Sequence, residues 1–137
     1  MVRPIVKDIF QLQRKSVPAT SADLPIALDL METLAAHDDH CVGLAANMIG
    51  EHKRIIAINT GLLPLAMLNP VIVSHSKESY VAEEGCLSLT GVRTTNRWES
   101  IEVSYLDMGM KEKRQKFSGF VAQIIQHEID HCDGILI

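Results

Sequence analysis

Gln126-His127-Glu128-Ile129-Asp130-His131, close to the end of the chain, contains the pattern H-E-x-x-H. On a helix, residues four apart share a face, so His127 and His131 aim both imidazoles at one point with Glu128 beside them. The residues upstream support the helix. Phe120, Ile124, His127 and His131 follow one another at steps of four, three and four, and Ser118 stands where an N-cap is expected. One stripe of this helix thus carries apolar side chains first and imidazoles last, so it runs inward and is expected to carry a metal site, the other reading being a surface helix with two chance histidines. Two neutral imidazoles leave such a site one protein ligand short of the three that a catalytic metal commonly takes.

The third ligand separates the enzyme classes. Thermolysin-like enzymes complete the site with a glutamate well downstream, but after His131 this sequence offers only Asp133 as an acid. A metzincin needs histidine at position 137; Gly134 of that pattern is present, but position 137 is Ile137. The ligand is therefore sought upstream, and Cys86 in Glu84-Gly85-Cys86-Leu87-Ser88 is the best candidate, with Gly85 allowing close backbone approach. A buried structural cysteine is the other reading of the same residue.

The chain has 137 residues, of which 47% are apolar, enough for one domain spanning 1–137 to bury a core without disulfides. A formal charge of -4, with no basic cluster longer than Lys111 to Lys116, gives no reason to expect DNA or another polyanion as partner. Three cysteines, Cys41, Cys86 and Cys132, form an odd set that fits thiols or metal ligands in a reducing compartment. The longest apolar stretches, Ile55 to Ile58 and Leu62 to Leu68, are too short to span a bilayer, and the second is broken by Pro64. A cytoplasmic protein is expected, with no membrane partner.

Leu24, Ala27, Leu28, Met31, Leu34 and Ala35 recur at helical spacing, with Ser21 or Asp23 as a cap, and this helix ends near the polar run His37 to His40. Small residues dominate Cys41 to Gly50. Arg54 to Asn59 and Met67 to His75 read as strands, with Pro70 marking a bulge or an edge. A glycine-bearing segment, Glu83 to Gly91, leads to an alternating strand, Ser100 to Asp107, and a turn at Met108 to Gly109 opens a hairpin. The expected class is α+β: short antiparallel strands packed around a C-terminal helix that carries H-E-x-x-H.

Val42-Gly43-Leu44-Ala45-Ala46, Glu84 to Ser88 and Gln126 to His131 together resemble the three signature segments of peptide deformylases, in order and in spacing. The second segment, E-G-C-L-S, and the third, Q-H-E-x-D-H, are complete. The resemblance implies a divalent metal held by Cys86, His127 and His131, ferrous in the cell, with zinc, nickel or cobalt as alternatives on isolation. It implies Glu128 as acid and base, and the backbone N–H of Leu87 as a donor to the oxyanion. It further implies removal of the formyl group from formyl-methionine at the N-terminus of nascent chains, near the ribosome. Val42, Gly43, Leu44 and Gly85 would grip an extended peptide through the backbone. Phe120 and Ile124 are candidate walls of a methionine pocket, with ordinary core the alternative. Arg93 stands where relatives carry an arginine near the peptide, with a solvated surface arginine the alternative. Glu84 and Asp130 are candidates to orient the imidazoles, with ordinary solvated acids the alternative.

The first segment departs from the family's pattern. Cys41 replaces its opening glycine, Asn47 fills its variable position, and Met48 stands where a glutamine would donate a hydrogen bond to the oxyanion. A thioether has no N–H to donate. Asn47 is not expected to substitute, because neighbouring side chains of an extended segment point to opposite faces. Two alternatives follow from Met48: a relative that keeps fold and metal for a binding or regulatory role, and a hydrolase of another small acyl amide. Cys132, where leucine is usual, is read as a packing residue.

Overall fold

Ile55, Ile56, Ala57 and Ile58 are each 0% exposed, which a strand achieves only when both faces of its sheet are covered. The computed structural model describes residues 1–39, 41–61 and 63–137. Its elements run α1 (Ile9–Leu12), α2 (Leu24–Ala36), β1 (Gly43–Ala45), β2 (Ile55–Asn59), β3 (Pro64–His75), β4 (Ser79–Cys86), β5 (Leu89–Trp98), β6 (Ser100–Leu106), β7 (Glu112–Ser118) and α3 (Gly119–Cys132). An antiparallel five-stranded sheet has the order β1-β2-β3-β6-β7, and β4 and β5 pair in a separate two-stranded sheet.

Period-two alternation divides the core. Ile55 and Ala57 pack with Leu30 and Leu34 of α2, whereas Ile56 and Ile58, on the same side of the sheet as Val103 and Tyr105 of β6, pack with Ile125 and Ile129 of α3. The larger sheet therefore lies between two helices. Cys132 is 1% exposed within the α3 layer, in agreement with a packing role.

Several local expectations were refined. Pro70 does mark an irregularity: the β3–β6 register shifts between Leu68 and Val71, where Asn69 has φ 53°. The hairpin after β6 turns on Asp107, whose Oδ1 accepts the N–H groups of Gly109 and Lys111. Asp23 accepts the Thr20 N–H at 2.8 Å before α2 begins, and Pro25 sits in that helix's first turn. Ser118 occupies the N-cap of α3 but makes no side-chain capping bond. Glu83 to Gly91 is the tip of the β4–β5 hairpin rather than one connecting segment. Residues 41–50, read as extended, form β1 and then a 3-10 helix over Ala46–Ile49. His40 and Leu62, at the edges of two expected segments, lie outside the described residues.

After α3, Gly134 turns the chain with φ +76°, and a Cβ there would collide with the backbone carbonyl of Gln13 just beyond α1. Gly134→Ala combines backbone strain with that clash and is expected to destabilise the protein by about 1–3 kcal/mol. Urea unfolding of the two proteins measures it; equal midpoints would show that α1 does not pack closely against the end of α3.

Candidate active site

The site forms where the β4–β5 hairpin meets α3, and the contacts between them are polar. The Tyr80 hydroxyl donates to Gln123 Oε1 at 2.8 Å. Gln126 accepts from the Trp98 N–H at 2.8 Å and donates to the Trp98 carbonyl at 2.9 Å, pairing with β5 as a neighbouring strand would. His127 Nδ1 donates to Glu84 Oε1 at 2.8 Å, and Arg97 Nη1 donates to Asp130 Oδ2 at 2.7 Å. Positions 123, 126, 127 and 130 form one helical stripe, so a single face of α3 carries every one of these bonds.

This docking brings the ligand candidates together. One donor atom from each of Cys86, His127 and His131 lies within 4.8 Å of the other two. Because the Nδ1–H of His127 is committed to Glu84, its Nε2 is the nitrogen left to bind a metal. Burial alone would push the Cys86 thiol up, but hydrogen bonds from His127 and His131 outweigh it and bring the thiol down to about 6, where a thiolate forms readily. Burial pushes His127 down, yet its bonds to Cys86 and Glu84 raise it to about 9. His131 rises to about 11 against its own burial, chiefly through the charge of Glu128 and the bond to Cys86. A thiolate and two carboxylates thus draw positive charge into this cluster. Protons on the imidazoles supply that charge unless a cation replaces them, so the donor set fits a divalent metal.

Glu128 is 3% exposed; its Oε1 accepts from His131 Nδ1 at 3.0 Å. The carboxylate lies directly against β1: a Cβ on Gly43 would come within 2.7 Å of Ile124 Cγ2 and 3.0 Å of Glu128 Oε2. Only glycine lets the strand pass so close to this carboxylate.

A cavity of about 470 Å³ opens over the cluster, with Cys86, His127, Glu128, Val42, Gly43, Gly85, Leu87, Phe120 and Ile124 in its walls. Ile124 is buried, whereas Phe120 is 60% exposed and stands at the mouth. Leu44 and Arg93 do not line the cavity. The Leu44 side chain is fully buried in the α2 core, and Arg93 lies across from Glu84 on β5, donating to the Thr90 carbonyl. Met48, 2% exposed, presents its side chain to the cavity wall. Asn47 is turned elsewhere, its amide donating to the His131 carbonyl at 2.9 Å. Cys41 also lines the cavity; its thiol donates to the Gly43 carbonyl at 2.9 Å, and burial pushes it up to about 12.

The sequence profile of the polypeptide deformylase family matches residues 3–137. The chain belongs to this family. A peptide deformylase of Clostridium beijerinckii is 55% identical over 137 residues, which cover 100% of both proteins. A peptide deformylase from Acinetobacter baumannii, solved with Met-Ala-Ser bound, superposes with a TM-score of 0.88 at 30% identity, covering 99% of this chain and 97% of that one. The deformylase of Thermotoga maritima gives 0.88 at 31% identity, covering 99% and 94%. Deformylases are metal-dependent hydrolases, and the Cys86, His127 and His131 cluster is one that could hold the metal. No helix among the described residues is long and apolar enough to cross a membrane.

Arg97 was not singled out in the sequence, although two acids beside the imidazoles, Glu84 and Asp130, called for a cation. It is 4% exposed and grips Glu84 with Nε at 2.9 Å and Nη2 at 2.6 Å while also holding Asp130. Asp130 therefore reaches the imidazoles only through Arg97, whereas Glu84 contacts His127 directly. Burial would raise Glu84, but the hydrogen bonds from His127 and Arg97 prevail and hold it at about 2. A depressed carboxylate contributes stability that is present above its ordinary value of 4.5 and lost as pH falls through about 2. Arg97→Gln should weaken the metal-free protein at neutral pH by about 3–5 kcal/mol, since Glu84 keeps a buried charge with one cation removed. The deficit should shrink as pH falls from 4.5 toward 2, because protonation removes the Glu84 charge that Arg97 neutralises. Denaturation midpoints across pH 2 to 7 test both, and a deficit that stays constant with pH would refute the coupling.

Proposed function

We propose that Cys86, His127 and His131 hold one divalent ion and that Glu128, with the Leu87 N–H, carries out the family's hydrolysis on formyl-methionyl termini. The chain removes the N-formyl group from nascent polypeptides. The observation that carries the assignment of roles is the buried Glu128 carboxylate, which accepts from His131 of the three-donor cluster and lines the cavity.

A divalent ion at these donors supplies Lewis acidity and lowers the pKa of a water toward neutrality. Ferrous iron is the ion proposed for the cell, since thiolate and imidazole suit iron and zinc alike and the family resemblance favours iron. Glu128 accepts the proton of the attacking water and returns it to the departing amine. The Leu87 N–H, adjacent to Cys86, donates to the oxygen that gains charge on the formyl carbon. Met48 brings no second donor, so this half of the oxyanion stabilisation is absent from the chain's own side chains.

The substrate backbone is proposed to lie along β1, which is an edge strand of the larger sheet, through Val42 and Gly43, and against Gly85. Main-chain pairing ignores most side chains, which suits an enzyme acting on many nascent chains. Ile124 and Phe120 are proposed to enclose the methionine side chain. Arg93, outside the cavity, and Leu44, through its backbone alone, are left with at most outer contacts to the peptide. The chain is taken as one deformylase domain that works in the cytoplasm close to the ribosome, where formylated termini emerge.

Formate release from formyl-Met-Ala-Ser by anaerobically purified, iron-loaded protein tests the assignment. Glu128→Gln should lower kcat by about 10²–10⁴-fold, the usual contribution of general acid-base catalysis. Met48→Gln should raise kcat by up to about 10²–10³-fold with KM little changed, the range associated with one oxyanion donor. Absence of turnover in both wild type and Met48→Gln, with metal fully bound, would overturn the deformylase reading.

A further inference from the structure

Beneath the ligand cluster, two buried polar atoms have no protein partner: Asn47 Oδ1 and Ser88 Oγ. Asn47 is 1% exposed and Ser88 5%. Both residues line one small cavity, with about 10 Å³ open to a water's centre, whose walls also include Cys86, His131 and Met48. The Asn47 amide is oriented by its donor end: Nδ2 reaches the His131 carbonyl at 2.9 Å and the Leu12 carbonyl at 3.4 Å, and Oδ1 is the end left over. Buried amide and hydroxyl oxygens are seldom without a partner in folded proteins, and an ordered water is the usual one where the protein supplies none.

We infer that Asn47 and Ser88 hold a single water molecule behind the metal ligands, which makes Asn47 a positioning residue for His131 and Cys86. The cavity is at the lower end of the roughly 10–15 Å³ that one water requires, so nothing larger fits. The water donates to Asn47 Oδ1 and accepts from the Ser88 hydroxyl, which leaves its second O–H for the Cys86 side of the cavity. The Ser88 N–H already donates to Cys86 Sγ at 3.4 Å. A continuous hydrogen-bonded chain then runs from the His131 carbonyl through Asn47, the water and Ser88 to the Cys86 sulfur. It joins the 3-10 helix, the hairpin tip and α3 behind the site. The water itself follows from the orphaned atoms; its effect on the metal rests on the proposed Cys86, His127 and His131 site.

A crystal structure of the zinc-loaded protein at a resolution that reveals ordered solvent should show one water within hydrogen-bond distance of both atoms. Direct pairing of the two side chains, or no density between them, would overturn the inference. Its consequence is read in zinc release to a chelator. Ser88→Ala should accelerate release about tenfold, in the range typical of groups that orient metal ligands. In an Asn47→Leu background the same change should add nothing, because the bridge is already broken. The same acceleration in both backgrounds would refute the bridge, whereas a Cys86→Ser protein that keeps zinc as firmly as wild type would refute the metal assignment instead. Should Asn47→Leu fail to fold, the solvent density and the Ser88→Ala rate alone decide.

Discussion

A single buried carboxylate, Glu84, ties the site to the fold. It accepts two hydrogen bonds from Arg97 and one from His127, and all three side chains are less than a tenth exposed. Removing these charges from water is costly, and the arrangement holds only because every oxygen of the carboxylate is met by a donor. Through this one group the hairpin β4–β5 is registered on α3, the tautomer of His127 is set, and Cys86 at the end of β4 is carried to the imidazoles. Gln126 adds precision by treating the Trp98 backbone as a strand partner.

A second constraint comes from the opposite side, where β1 meets α3. Gly43 permits the sheet's edge to pass against Glu128 and Ile124, so an extended peptide laid along that edge would have its end beside the Glu128 carboxylate. Rigid elements thus converge on the site: a sheet edge, a hairpin tip and one helix face. Such placement favours chemistry that depends on positioning.

Met48 shows how the two demands on a residue at this boundary compete. Its side chain belongs to the core layer under α2 and also lines the cavity above Cys86 and His127. A thioether suits the first role, since it fills apolar space without an unsatisfied donor. The second role loses a hydrogen-bond donor by the same choice. Asn47 cannot compensate from its place in the 3-10 helix, because its amide is committed to backbone carbonyls of α3 and of the segment at α1. The sequence had suggested the same outcome on the premise of an extended segment; the geometry differs and the consequence stands.

Local periodicity was enough to locate α2, α3, most of the strands of the larger sheet and the shared face of His127 and His131, because helical and strand spacings are properties of neighbouring residues. The deformylase motifs likewise marked Cys86 as the third ligand candidate. The β4–β5 pairing was harder to read, since Glu83, Glu84, Arg93 and Arg97 interrupt the apolar alternation by which a strand is recognised. Which of two arginines would be buried, that Leu44 would face the core, and that Asn47 would reach His131 were decided only in the tertiary structure. Each depends on a partner brought from far along the chain, and burial of a charge or an amide is tolerated only where that partner arrives.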